Sequence, residues 1–144
     1  MSGKGLRLYK REKLCSVTAI DRLFAARPAK GTVTTDKYGA IGCHLAYPLR
    51  MVYAENPGRG GVAVKFLISV PKKRLRHAVD RVTMRRRIRE AYRHVRGPVT
   101  DVSPASRWDV AFIYVADKLC DYRRVLSSMQ RLMAEISVTK DAEV

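Results

Sequence analysis

A chain of 144 residues has room for one ordinary domain with one hydrophobic core. With 47% hydrophobic residues it is too apolar for wholesale disorder. Its 29 Lys and Arg against 13 Asp and Glu leave a net charge of +16, a self-repulsion that points to a polyanionic partner.

Residues 1–13 form a basic, flexible N-terminal arm, followed by a single domain over 14–137 and a tail over 138–144. Ser16 is placed to cap a short helix in which Ile20, Leu23 and Phe24 share one face. From Arg27 to Gly42 the chain is rich in Pro, Gly and Thr and reads as a long connection or a loose first strand. Between Tyr47 and Tyr53 the pattern alternates, with Leu49, Met51 and Tyr53 on one side and Arg50 and Val52 on the other. That strand ends at the turn signal Asn56-Pro57-Gly58, with Gly60-Gly61 beyond.

Val64, Phe66, Ile68 and Val70 make the apolar face of the next strand, which Pro71 stops. A basic helix then runs to about Arg96 and ends at Gly97-Pro98. Asp109 to Ala116 is apolar and β-prone throughout, as suits a central strand buried on both faces. Asp121 caps a last helix, whose stripe of Tyr122, Val125, Leu126, Met129, Leu132, Met133 and Ile136 is core packing.

No apolar run approaches the ~20 residues of a membrane span, and the basic start has no apolar stretch behind it to make a secretory signal. Cys15, Cys43 and Cys120 are odd in number and contain no CxxC pair, which argues against a disulfide framework or zinc ribbon and fits reduced thiols in the cytoplasm. Cys43-His44 has no second pair nearby with which to build a metal site.

The charge is concentrated. Lys72 to Arg96 holds 11 Lys and Arg against Asp80 and Glu90, a net +9 in 25 residues. On a helix, Met84, Ile88, Ala91, Tyr92 and Val95 fall on one side, while Arg85, Arg89, Arg93 and Arg96, joined by Arg86, fall on another. A solvated helix face usually mixes signs to gain ion pairs, whereas like charges four residues apart repel. Arginine forks suit phosphate oxygens, and a step of ~6 Å between Arg85, Arg89 and Arg93 makes a comb for successive phosphates. The helix contains no Asn or Gln to read base edges in a DNA groove, so backbone and shape recognition of folded RNA is favoured over duplex DNA.

These residues resemble a family. Leu67-Ile68-Ser69-Val70-Pro71-Lys72-Lys73, Ala78-Val79-Asp80-Arg81 and Arg85-Arg86-Arg87-Ile88-Arg89-Glu90-Ala91-Tyr92-Arg93 are similar to the strand, Lys-Lys pair and basic helix of the bacterial ribonuclease P protein subunit. The likeness covers most of residues 6–136. It departs where the family's Arg-Asn-Arg stands here as Arg81-Val82-Thr83, and at Asp80, where a basic residue is common. The resemblance implies an α+β fold, a two-layer sandwich of about four mixed strands and about three helices with a left-handed β-α-β crossover. Sequence rules alone favour the right-handed connection.

The resemblance further implies a subunit that assists a catalytic RNA in removing the 5′ leader of precursor tRNA. Carried over by position, Lys72, Lys73, Arg81, Arg85, Arg86, Arg89 and Arg93 would bind RNA. Ile20, Phe24 and Tyr53 (Val52 in the other register) would line a leader-binding cleft, in which Phe24 and Tyr53 could stack on unpaired bases.

His44, His77 and His94 show no evident carboxylate or nucleophile partner, and no acidic cluster forms a Mg²⁺ cage, so Mg²⁺ would be held by the partner RNA. The competing functions are a non-catalytic RNA-binding module of ribosomal or RNA-chaperone type and, more remotely, a DNA-binding protein.

Overall fold

Alternating and helical apolar periodicities pull the chain into a sheet with helices on both faces. The computed structural model describes residues 13–14, 17–26, 33–36, 39–55, 64–96 and 108–142. Ser16, the turn signals at residues 56–61, the Gly97-Pro98 stop and residues 1–12 of the basic arm lie outside the described residues. The elements are α1 (Val17–Ala26), β1 (Val33–Asp36), β2 (Gly39–Ala46), β3 (Leu49–Glu55), β4 (Val64–Ser69), α2 (Ala78–Arg96), β5 (Trp108–Tyr114) and α3 (Tyr122–Ala142).

The strands form one mixed sheet in the order β1-β2-β3-β5-β4. All pairs are antiparallel except β4 with β5, whose parallel register (Phe66 opposite Val110) requires the crossover that α2 supplies. The α+β sandwich is as the sequence led us to expect. Among the described residues the sheet holds five strands, because the Pro-, Gly- and Thr-rich stretch contributes the β1–β2 pair. The last helix also runs on to Ala142, through most of the span read as a tail.

The larger core lies between the sheet and α2 and α3. Leu49, Met51 and Tyr53 of β3, Phe66 of β4 and Val110, Phe112 and Tyr114 of β5 meet Met84, Ile88, Ala91 and Tyr92 of α2 and Val125, Met129 and Leu132 of α3. Tyr92 packs between Phe66 and Phe112, with ring centroids 4.4 and 5.6 Å away. Each such fully buried side chain contributes ~1.5–3 kcal/mol. The opposite face carries a smaller cluster, in which Leu23 of α1 covers Ile41, Cys43, Val52, Ala54 and Ala111. β5 is therefore buried on both faces, which explains its unbroken apolar sequence.

Polar groups fix the corners. Asp121 Oδ1 accepts from the Arg124 amide at 3.2 Å and caps α3. The β2–β3 connection at Tyr47-Pro48, a cis peptide, is tied to α3 and to β5: Ser128 Oγ donates to the Tyr47 carbonyl at 2.7 Å, and the Val115 amide to the Pro48 carbonyl at 2.9 Å.

One glycine is required by close approach. Gly42 pairs directly with Tyr53, and a Cβ at position 42 would collide with that ring, coming within 2.8 Å of Cε1 and nearer still to Cζ and Oη. The ring is held in place by a parallel stack on His44 (5.6 Å) and an edge contact with Trp108 (5.5 Å), so it cannot swing aside freely. Gly42→Ala should lower unfolding stability by ~1–3 kcal/mol in urea titration, the usual cost of overpacking.

Candidate nucleic-acid interface

Burial of Met84, Ile88, Ala91 and Tyr92 sets the rotation of α2 and so decides which arginines reach solvent. Arg85, Arg86 and Arg89 are exposed, and so are Lys72 and Lys73 on the turn that leaves β4. That turn is held where Pro71 O accepts from the amides of Arg74 and Leu75. Arg85 and Arg89 stand one helical turn apart, ~6 Å along the axis, as the spacing predicts. Lys72 and Lys73 stand on the turn between β4 and α2, while Arg85 and Arg89 line one depression beside β4.

Four other arginines of the run have partners within the protein, the first being Arg74, whose Nη1 donates to Asp117 Oδ1 at 3.2 Å at the surface. Arg81 Nη1 donates to the carbonyls of Leu75 and Arg76 at 3.0 and 2.9 Å, fastening the turn to the first turns of α2. Arg87 Nη1 donates to the Cys120 carbonyl at 2.6 Å and ties α2 to the approach of α3. Arg93 is half-buried and makes a forked contact with Glu90, from Nε to Oε1 at 3.2 Å and from Nη2 to Oε2. His94 Nε2 lies 3.0 Å from the same carboxylate, so this histidine does have the acidic partner that the sequence reading missed. The Arg93 hydrogen bond is the main reason the Glu90 carboxyl stays below its ordinary value of 4.5, against a smaller opposing effect of burial. Of the seven cations assigned to RNA from sequence, Arg81 and Arg93 are thus engaged within the fold, and Lys72, Lys73, Arg85, Arg86 and Arg89 are exposed.

The cleft residues divide differently. Ile20 is half-buried against the α1-side cluster, and Phe24 lies one turn on at 38% exposure, open to a ligand. Arg22 Nη1 donates to the Glu55 carbonyl at 2.5 Å and fastens α1 to the end of β3. Tyr53 is a correction: it is fully buried on the other side of the sheet, among the residues under α2 and α3. Strand alternation puts it with Leu49 and Met51, and it is Val52 that faces α1. Val52 is buried beneath the helix and offers no stacking surface.

Among the described residues, no three His, Cys, Asp or Glu side chains come together to hold a metal ion. No described helix is long and apolar enough to cross a membrane.

Comparison with known proteins agrees with this geometry. The family model described as Ribonuclease P matches residues 44–137. The ribonuclease P protein components of two Porphyromonas gingivalis strains are each 35% identical over 102 residues, covering 69% of this chain and 74% of theirs. The chain belongs to the ribonuclease P protein family. The solved structure of the Staphylococcus aureus RNase P protein shares the fold, with a TM-score of 0.60 over 85% of this chain and 93% of that one at 14% identity. Its place is that of the protein subunit in tRNA 5′ processing, an RNA-binding component of an endoribonuclease holoenzyme.

Within the family's basic motif, this member is uneven. Val82 is exposed, and Thr83 Oγ1 turns inward to donate to the Val79 carbonyl at 3.0 Å, so positions 82 and 83 present no cation.

Two substitutions separate docking from bracing. Arg89→Ala should weaken RNA binding and reduce the slope of log affinity against log salt by ~0.7–0.9, one phosphate contact. Arg81→Ala should instead destabilise the fold by ~1 kcal/mol through its lost carbonyl bonds, with the salt slope unchanged in filter binding. The lowered Glu90 value has a consequence for pH. Its carboxylate contributes stability that is fully present above 4.5 and is lost as pH falls through the lower folded value. Wild type should therefore exceed Glu90→Gln in urea stability at neutral pH, and the two should converge in acid.

Proposed function

We propose that this subunit binds the catalytic RNA of ribonuclease P through Lys72, Lys73, Arg85, Arg86 and Arg89, and the 5′ leader of precursor tRNA beside α1, where Phe24 is open. The observation that carries this is the exposure of these five cations on the turn after β4 and on α2, where Glu90 is already engaged by Arg93 and His94 and Asp80 stands in the first turn. Two polyanions, the catalytic RNA and its substrate, repel each other, and a cationic flank on a rigid helix offsets that repulsion at physiological salt. Cutting is assigned to the RNA, which holds the Mg²⁺ ions, and the protein's part is electrostatic. The free thiols of Cys43 and Cys120 and the nucleic-acid partner accord with action in the cytoplasm.

Reconstitution tests this directly. Added to catalytic RNA and precursor tRNA at low Mg²⁺, the protein should accelerate leader removal, and the stimulation should shrink as Mg²⁺ is raised. Phe24→Ala should weaken binding of leader-bearing precursor by up to ~10-fold, within the ~1–3 kcal/mol of one stacked base, and leave binding of leaderless tRNA unchanged. No stimulation by the wild-type protein would reject the proposal.

A further inference from the structure

β4 ends the sheet, and among the described residues its outer edge is met only beside Phe66. The Leu14 amide donates to the Phe66 carbonyl at 2.8 Å, and Lys13 bridges Phe66 in parallel register. Next to this contact lies a depression of about 290 Å³ lined by Lys13, Leu14, Phe66, Leu67, Ile68, Arg85 and Arg89. Its floor is aliphatic and aromatic, its rim carries three cations, and no acid lines it. Because Phe66 turns its carbonyl outward, strand alternation turns the amide and carbonyl of Ile68 outward too, toward the same depression.

A mostly apolar lining around about 290 Å³, a main-chain donor and acceptor at its margin, and two guanidiniums in its wall match one chemical unit: a nucleotide with its base unstacked. We propose that the depression between Leu14, the outer edge of β4 and Arg85 and Arg89 receives one unpaired base of the RNA partner, the two guanidiniums holding the phosphates on either side of it. Leu14 and Leu67 of its lining also pack into the α1-side cluster, so the depression sits at the sheet's edge where the two faces meet, and Phe24 is not among the residues that line it. The assignment rests on the RNA docking proposed above and makes part of it base-dependent. Charge decides against a neutral or basic protein strand as occupant, since it would gain nothing from the three cations of the lining.

The experiment compares two hexamers of equal charge on the full-length protein: oligouridylate carrying one 4-thiouridine, and the same sugar-phosphate chain with all bases removed. The base-free hexamer should bind about 10-fold more weakly. Irradiation should crosslink the thiouridine to the peptides holding residues 13–14 and 66–68. Ile68→Phe, which fills the depression without changing charge, should abolish the difference between the hexamers and keep the salt slope, and a urea titration of this variant checks its fold.

Equal affinity of the two hexamers for the wild-type protein, with the salt slope intact, would overturn the base site and leave phosphate docking standing. Failure of both to bind would sink the docking itself. Protection of the Ile68 amide from exchange by an uncharged Thr-Val hexapeptide, but not by oligouridylate, would make this edge a site for protein strands. Base discrimination seen only after deletion of residues 1–12 would give the depression to that segment. A dimer that forms with loss of oligouridylate binding would give it to a second copy.

Discussion

The packing of Tyr92 between Phe66 and Phe112 governs how the molecule meets its partner. Together with Met84, Ile88 and Ala91, that contact fixes the rotation of α2 about its axis. Were the helix turned by one residue, about 100°, the exposed arginines would be driven toward the core and the apolar stripe toward water. Burial on one side of α2 therefore dictates the position of charge on the other. The parallel pairing of β4 and β5 adds to this, because α2 must cross from one end of the sheet to the other and cannot shift far along it.

Within the basic run, the arginines divide by what their forks find. Arg81 and Arg87 reach carbonyls of the turn before α2 and of the approach to α3, and Arg93 finds Glu90. Each satisfies part of its charge or hydrogen bonding within the fold and stiffens the platform. Arg85, Arg86 and Arg89 are directed away from those groups and keep their charge available. A protein built only to attract RNA would have no reason to hold arginine against its own backbone. Here the braces keep the spacing of the free cations constant.

Much of the architecture was legible because it follows from periodicity. The α2 stripe, the alternating face of β4, the two-sided burial of β5 and the Asp121 cap all rest on local spacing, and the structure has each of them. The β1–β2 pair was not legible, since its stability comes from Tyr53 lying over Gly42 and from pairing with β3, contacts made between residues distant in sequence. The side of the sheet on which Tyr53 lies was already contained in its alternation with Leu49 and Met51, and the cleft role carried over by resemblance ran against it. Arg85, Arg86 and Arg89 of the candidate site followed from composition and helix geometry, whereas Lys72 and Lys73 came from the resemblance. The internal partners of Arg81 and Arg87 did not, because backbone carbonyls leave no trace in residue identity, whereas Glu90 and His94 stand four apart and could have been paired from the sequence.

The outer edge of β4, met beside Phe66 among the described residues, also bears on how copies of the protein behave toward one another. A bare strand edge invites pairing with the edge of a neighbouring molecule, and sheets commonly protect such margins with charge. Lys13, Arg85 and Arg89 stand at this one. Under the proposed docking, the cations that would draw in a polyanion would also disfavour edge-to-edge pairing of identical chains while none is present, so solubility and partner affinity would rest on the same side chains. Neutralising them for tighter packing would sacrifice both.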